Sequence, residues 1–338
     1  MIWIAVDAMG GDHAPAAIVD GALAAVRHAD LGIVLVGAED RLREELARHP
    51  DVDAARVRIE PAEAVLAMDE APATALRRKP NASIKVAADL VARGTAAAFF
   101  SAGHTGGTVM AAYTSLGMLE GVDRPALAAT IPTRSQPAIL LDVGASVECR
   151  PAHLLQFAIM GSVYARVVLG ADRPRVGLLS IGEEETKGNE LTRGAHQLLK
   201  SAPLNFIGNI EARDVYRGGA DVIVCDGFTG NIALKVSEGL VEVTEQLLGE
   251  ELAGTMAARV GSVLTRRALR HFRRRVDYSE YGGAPLLGVA GVTIVGHGRS
   301  SPKAVRNAVV MASRFAAGRF IERVGREIAA SREPKGAQ

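Results

Sequence analysis

Asp7 and Asp12 flank the two glycines of DAMGGDHAP (residues 7–15), directly after the apolar run MIWIAV. An acid at a strand end followed by glycines marks a place where backbone can approach a ligand closely. Four more loops share this build: SAGHTGG (101–107), SIGEEETKGNE (180–190), DGFTGN (226–231) and GHGRSS (296–301). Each precedes a run suited to a helix, so each offers the unpaired N–H groups of a helix N-terminus to an anion. Asp226 can orient a reacting group or act as a base, or it can cap the helix that follows. Asp12 has the same two readings, substrate contact or capping of a helix that Pro15 suits. Lys187, crowded by Glu183, Glu184, Glu185 and Glu190, is either an anion clamp set by Gly188 or part of a solvated ion-pairing loop. Arg77, Arg78 and Lys79 either meet a phosphate or face water, with Asn81 as a plausible helix cap. His104 either touches ligand or is structural. Cys225 reads as buried strand core, since no His or Asn at useful spacing marks it as a nucleophile.

The nucleotide and metal patterns are absent. No GxGxxG follows the first strand and no GxxxxGK[ST] occurs; GHGRSS comes nearest, with Ser301 where the third glycine belongs. No HExxH, paired CxxC or EF-hand spacing is present, so neither a metal nor another cofactor is indicated. A 4% aromatic content argues against a base-stacking nucleic-acid surface, and a net charge of +1 names no partner. Two cysteines fit a reducing cytoplasm. The N-terminus lacks the build of a signal peptide, and no apolar run reaches the roughly 18 residues of a membrane span.

The elements that must position these loops alternate along the chain. Short β-branched runs at 2–6, 32–37, 56–60, 96–100, 126–131, 138–143, 175–180, 221–225 and 292–296 read as strands. Helical runs lie at 15–28, 40–48, 82–93, 106–119, 152–169, 190–200, 231–250, 255–275 and 302–328. Strand, crossover and strand again is the signature of a mainly parallel sheet covered by helices. The expectation is one three-layer α/β/α unit over residues 1–330, a helical projection at about 245–285, and a loose tail at 331–338. No internal repeat is evident.

Eight motifs together resemble the PlsX family, the phosphate acyltransferases of bacterial phospholipid synthesis. They are IAVDAMGGDHAP (4–15), KPNASI (79–84), SAGHTGG (101–107), LLDVGASVECRP (140–151), VGLLSIGEEETKGNEL (176–191), NFIGNIEARD (205–214), VIVCDGFTGNIALK (222–235) and YGGAPLLGVAG (281–291). The chain departs from the family pattern where His104 replaces an asparagine and where Gly144, Ala145 and Ser146 replace GAN. The resemblance implies a fold like those of isocitrate/isopropylmalate dehydrogenase and phosphotransacetylase, and a homodimer. It implies that inorganic phosphate attacks the thioester of a long-chain acyl–acyl carrier protein. The acyl phosphate then passes to the membrane acyltransferase PlsY. No enzyme-bound acyl intermediate is needed, which agrees with the lack of a convincing nucleophile.

On this resemblance Lys187 and His104 contact phosphate or the oxyanion, while Asp226 and Asn231 orient the attacking phosphate. Gly10, Gly11, Gly106 and Gly230 let backbone N–H groups close in. Asp7, Asp12, Lys79, Ser83, Ser101, Gly103, Thr105, Glu184, Gly188, Asn189, Gly227, Thr229 and His297 complete the expected substrate-binding set. A nicotinamide-linked dehydrogenase on the related fold, or a non-catalytic membrane-associated binder, would be the alternatives.

Residues 252–276 contain no acid and seven arginines. Their larger apolar residues recur mostly at three- or four-residue steps, the pattern of a basic amphipathic helix. It reads as a solvated arm packed on the dimer partner, or as a contact surface. Met256, Val260 and Val263 would then touch membrane, and Arg270, Arg273 and Arg274 would meet the acidic carrier protein or anionic lipid. The expected location is the cytoplasm, peripherally on the inner face of the cell membrane.

Overall fold

The computed structural model describes residues 1–255, 261, 264–276 and 282–332, excepting the side chains of 273–276 and 332. One sheet holds the strands β1 (Ile2–Asp7), β2 (Leu31–Gly37), β3 (Val57–Pro61), β4 (Ala98–Ser101), β5 (Ala126–Ile131), β6 (Ala138–Leu141), β7 (Arg175–Ser180), β8 (Asn205–Glu211), β9 (Val222–Val224), β10 (Ala284–Leu287) and β11 (Val292–Val295). Their order is β3-β2-β1-β4-β11-β10-β5-β6-β9-β7-β8. The strands β3, β2, β1, β4 and β11 are parallel, as are β6, β9, β7 and β8. Between the two sets, β10 and β5 pair antiparallel with each other and with their outer neighbours. Three antiparallel pairings separate the sets, so the sets point in opposite senses.

Strand alternation builds the layers, because successive side chains point to opposite faces. Ile4, Val6, Ile33, Leu35, Phe100, Ile139 and Leu141 enter one core, against the helices Ala16–His28, Pro151–Val168 and Pro302–Ala317. Ala5, Val34, Val36, Phe99, Ala138 and Leu140 enter the other, against Ser83–Ala92 and Thr105–Leu116. The sheet is thus buried on both faces, as a mainly parallel sheet requires.

Several elements differ from the sequence reading. Strand β8 carries asparagines and Gly208, which adopts a positive φ of 96°, and these hide its β pattern. Strand β10 contains Pro285, a residue that argues against an inner strand. The strand tolerates it by dividing its pairing: Ala284 and Pro285 face β11, Leu286 and Leu287 face β5. A further helix, Pro72–Arg78, starts on Pro72. The run read as one helix at 302–328 is two, Pro302–Ala317 and Phe320–Arg332, parted where Arg319 turns to φ 49°. The helix read from 231 begins at Gly227 and runs to Gly254, because Asp226 caps it. Of the basic stretch, the helix Arg266–Val276 is described, with Arg270 exposed. Met256, Val260, Val263 and the side chains of Arg273 and Arg274 lie outside the described residues.

Candidate active site

The glycine loops pack on one another through two buried aspartates. Asp7, at the end of β1, is 2% exposed. Its Oδ2 accepts from the Ser101 hydroxyl at 2.6 Å, and its Oδ1 accepts from the Met9 N–H at 3.3 Å. Ser83 adds another side-chain hydrogen bond. Ser101 accepts in turn from the Gly103 N–H at 3.1 Å, so one serine ties the ends of β1 and β4 together. Burial pushes the Asp7 carboxyl above its usual 3.8, opposed by these hydrogen bonds. Gly10 must lack a side chain here, since a Cβ would stand 2.6 Å from Asp7 Oδ2 and 2.8 Å from the Gly103 nitrogen. The Asp12 N–H donates to the Gly298 carbonyl at 2.8 Å, which adds the loop after β11. Asp12 is itself exposed and does not cap the next helix, whose capping residue is Pro15 with no side-chain bond.

Asp142 does the same service at the end of β6. Its Oδ1 accepts from the N–H groups of Leu127, Gly144 and Ala145, and its Oδ2 from that of Ser146 at 2.6 Å. The Ser146 carbonyl accepts from the Gly227 N–H at 2.9 Å, joining this loop to the helix Gly227–Gly254. A Cβ on Gly230 would collide with the Asp142 carbonyl oxygen. Asp226 is the cap of that helix: its carboxylate accepts from the Thr229 N–H at 2.9 Å and hydroxyl at 2.7 Å. His104 likewise caps Thr105–Leu116, its Nδ1 accepting from the Gly107 N–H at 3.2 Å. The amides of Thr105 and Gly106, in that helix's first turn, have no intrahelical acceptor to use.

The loops of the two strand sets meet at a cleft of about 450 Å³. Of the expected residues, Asp12, Gly103, Thr105, Asn231 and His297 line it. Asp7, Ser83 and Ser101 lie behind this wall as buried supports. Lys235, Glu238 and Arg299 also line the cleft and were not singled out from the sequence. Lys235 was legible in principle, standing one helical turn after Asn231 on the same helix face. Its Nζ lies 2.8 Å from Glu238 Oε2 and 3.4 Å from His297 Nε2. Burial lowers the His297 imidazole below its usual range, with the Lys235 charge acting in the same sense.

The Lys187 loop is not part of that lining. Its place follows from topology: β6, β9 and β7 are parallel neighbours, so the loops after them share one sheet edge. Lys187 is exposed and makes no ion pair among the described residues. Its neighbour Glu185 instead pairs with Lys200 at 2.6 Å. Glu184 offers its carbonyl to Asn209, Gly188 turns at φ 103°, and Asn189 caps Glu190–Ser201 by accepting from the Thr192 N–H. Lys79 is held away from the cleft by Glu70, at 2.6 Å, and by the Val65 carbonyl. Asn81 does not cap the next helix; Ala82 stands at that position.

Neither thiol is activated. Burial, with the charges of Asp142 and Asp226, pushes the Cys149 thiol up to about 12. The same causes raise Cys225, which is 2% exposed.

The sheet and its covering helices form a fold shared with the phosphotransacetylases. A phosphotransacetylase from Streptococcus pyogenes superposes with a TM-score of 0.65 at 15% identity, over 94% of this chain and 94% of that one. A 4-hydroxythreonine-4-phosphate dehydrogenase from Klebsiella pneumoniae shares the fold more distantly, with a TM-score of 0.51 at 15% identity, over 93% of this chain and 99% of that one. The relationship by sequence is much nearer. The chain is 50% identical to the phosphate acyltransferase of Heliobacterium modesticaldum over 331 residues, 98% of this chain and 99% of that protein. It is 52% identical to that of Acidobacterium capsulatum over 315 residues, 93% of each. Residues 2–323 match the family described as fatty acid synthesis protein, the PlsX family. The chain belongs to that family and is an acyltransferase.

Proposed function

We propose that this chain transfers a long-chain acyl group from acyl–acyl carrier protein to inorganic phosphate, releasing acyl phosphate and free carrier protein. The observation that carries the reading is the cleft between the strand sets, where a lysine, an arginine and an asparagine face glycine loops while both thiols are deactivated. Phosphate sits against Lys235, Asn231 and the first amides of Thr105–Leu116. One of its oxygens attacks the thioester carbon. The carbonyl oxygen gains charge as the tetrahedral intermediate forms, and loop N–H groups with His104 stabilise it. Collapse breaks the C–S bond and the thiolate leaves on the carrier. No covalent enzyme intermediate is required, in keeping with cysteines that hold their protons. Lys187 and Asp226 act from the neighbouring loops at the same sheet edge. Residues 1–330 work as one catalytic unit.

The partners follow the surface. The helix Gly227–Gly254 exposes Phe228, Ile232, Val236, Leu240, Val243 and Leu247, one apolar stripe of roughly helical spacing, which suits a homodimer. Leu264 and Phe272 are exposed beside Arg266, Arg267 and Arg270, which suits an anionic membrane surface and delivery of acyl phosphate to PlsY. No helix among the described residues is long and apolar enough to cross a membrane. The test is turnover: purified chain, acyl–acyl carrier protein and phosphate, with acyl phosphate trapped by hydroxylamine. Free carrier protein with no acyl phosphate, or no reaction at all, refutes the assignment. A change in nicotinamide fluorescence on titration would favour the dehydrogenase reading instead.

A further inference from the structure

A second cavity, of about 910 Å³, lies beside the cleft and contains none of the residues discussed for phosphate. Three segments of the chain contribute to the lining of both. Thr105 lines the cleft and Val109, one helical turn on, lines the cavity; Leu127 and Pro125 are two residues apart, as are Val143 and Ala145. A spacing of four keeps Thr105 and Val109 on one face of their helix, and the other two pairs are near neighbours in the chain. The cavity therefore adjoins the cleft, with Val109, Met110, Tyr113 and Pro125 as its apolar wall.

Its far end is built for an anion. Arg124 and Arg150 line it, are exposed, and make no ion pair among the described residues. His153 lines it too and is 8% exposed. His153 Nδ1 accepts from the Arg150 N–H at 3.1 Å, which puts the proton of the neutral ring on Nε2. That Nε2 has no hydrogen-bond partner among the described residues. Burial lowers the imidazole's proton affinity, and the Arg124 and Arg150 charges act the same way against Asp123, so both guanidiniums lie within electrostatic reach of the ring. The helix Pro151–Val168 begins here, aiming its positive end at the same place. Two carboxylates share the lining: Asp123, whose Oδ2 accepts from Gln156 at 2.9 Å, and Glu148. With them the full charges of the lining balance, two guanidiniums against two carboxylates. That suits a singly charged phosphodiester better than free phosphate, which carries more charge.

We propose that Arg124, Arg150 and His153 bind the phosphodiester of the thioester donor's phosphopantetheine arm, with the arm running along the apolar wall into the cleft. This rests on the proposed acyl-carrier reading and names how that donor is held. The probes are pantetheine and phosphopantetheine as its methyl phosphodiester, which carries the single charge of the carrier-bound arm and differs from pantetheine only in that group. Calorimetry on the folded, full-length chain should show tighter binding of the phosphodiester by at least about tenfold, the scale of one charge-assisted contact. Arg124→Ala with Arg150→Ala should erase that difference. The same double variant should raise the Michaelis constant for acyl–acyl carrier protein by about tenfold and leave that for phosphate unchanged. Equal wild-type affinity for the two probes overturns the proposal. So does a rise in the phosphate constant instead, which would make this the inorganic phosphate site. A raised carrier constant with intact discrimination between the probes would assign the arginines to the carrier's acidic surface, and would also overturn it. A wild-type chain that forms no acyl phosphate at all is a separate result and counts against the parent reading.

Discussion

Ser101→Ala is the substitution whose consequences can be worked furthest. Ser101 is fully buried, donates to Asp7 Oδ2 at 2.6 Å, and accepts from the Gly103 N–H at 3.1 Å. Alanine removes a charge-assisted bond worth about 1.5–3 kcal/mol and leaves the Gly103 amide short of its acceptor, for about 1 kcal/mol more. The expected loss is about 2.5–4 kcal/mol in urea unfolding, read as a lower midpoint at unchanged slope. A cycle with Asp7→Asn should return a coupling energy of about 1.5–3 kcal/mol, because the asparagine no longer offers a charged acceptor. The sign with pH follows from Asp7. Its folded carboxyl already titrates above the unfolded 3.8, so its ionisation costs stability as pH rises through that window. Without Ser101 the folded value rises further, so the penalty of the mutation should grow from acid toward neutral pH and shrink below the unfolded value. A loss within about 0.5 kcal/mol of zero, the size of an ordinary surface change, would refute the reasoning. So would a penalty that does not vary between acid and neutral pH.

Four other outcomes are expected. Lys235→Ala should raise the Michaelis constant for phosphate at least about tenfold in steady-state assays, the scale of a lost charged contact, with far-ultraviolet circular dichroism unchanged. Lys187→Ala should lower turnover by roughly a hundredfold, as for a transition-state charge contact; near-normal turnover would confine the anion contact to the cleft. Cys149→Ser and Cys225→Ser should stay active, and mass spectrometry should find no acyl-cysteine, because thiols raised this far are protonated at neutral pH. Gly230→Ala should cost about 1–3 kcal/mol or more of stability, since its methyl must displace the Asp142 carbonyl.

Which parts of this molecule were legible before folding, and which were not, follows from the range over which each signal acts. Strands such as IWIAV and GIVLVG declared themselves because β-branched runs bounded by glycine report local preference and two-faced burial together. The glycine loops were legible for the same reason. Their residue types are demanded locally, by caps such as Asp226 and Asn189 and by close approaches such as that of Gly10. Motif order along the whole chain was enough to place it in its family. Strands β8 and β10 stayed hidden because asparagine, glycine and proline oppose β structure locally, and only their sheet neighbours override that.

What the loops do to one another was decided by the tertiary structure alone. Asp7 meets Ser101 across 94 positions of chain, and Asp142 adds the Leu127 N–H to its three local ones because β5 runs back beside β6. Lys79 looks like an anion contact until Glu70 is seen beside it. Lys235, paired to Glu238 on its own helix as Lys79 is to Glu70, differs in that its helix faces the cleft and His297 of the other strand set. A residue's chemical type is written in the sequence. Whether its charge is already neutralised by a neighbour, or stands open to a substrate, depends on groups that only the folded sheet brings within a few ångströms, the range at which hydrogen bonds and buried charges act.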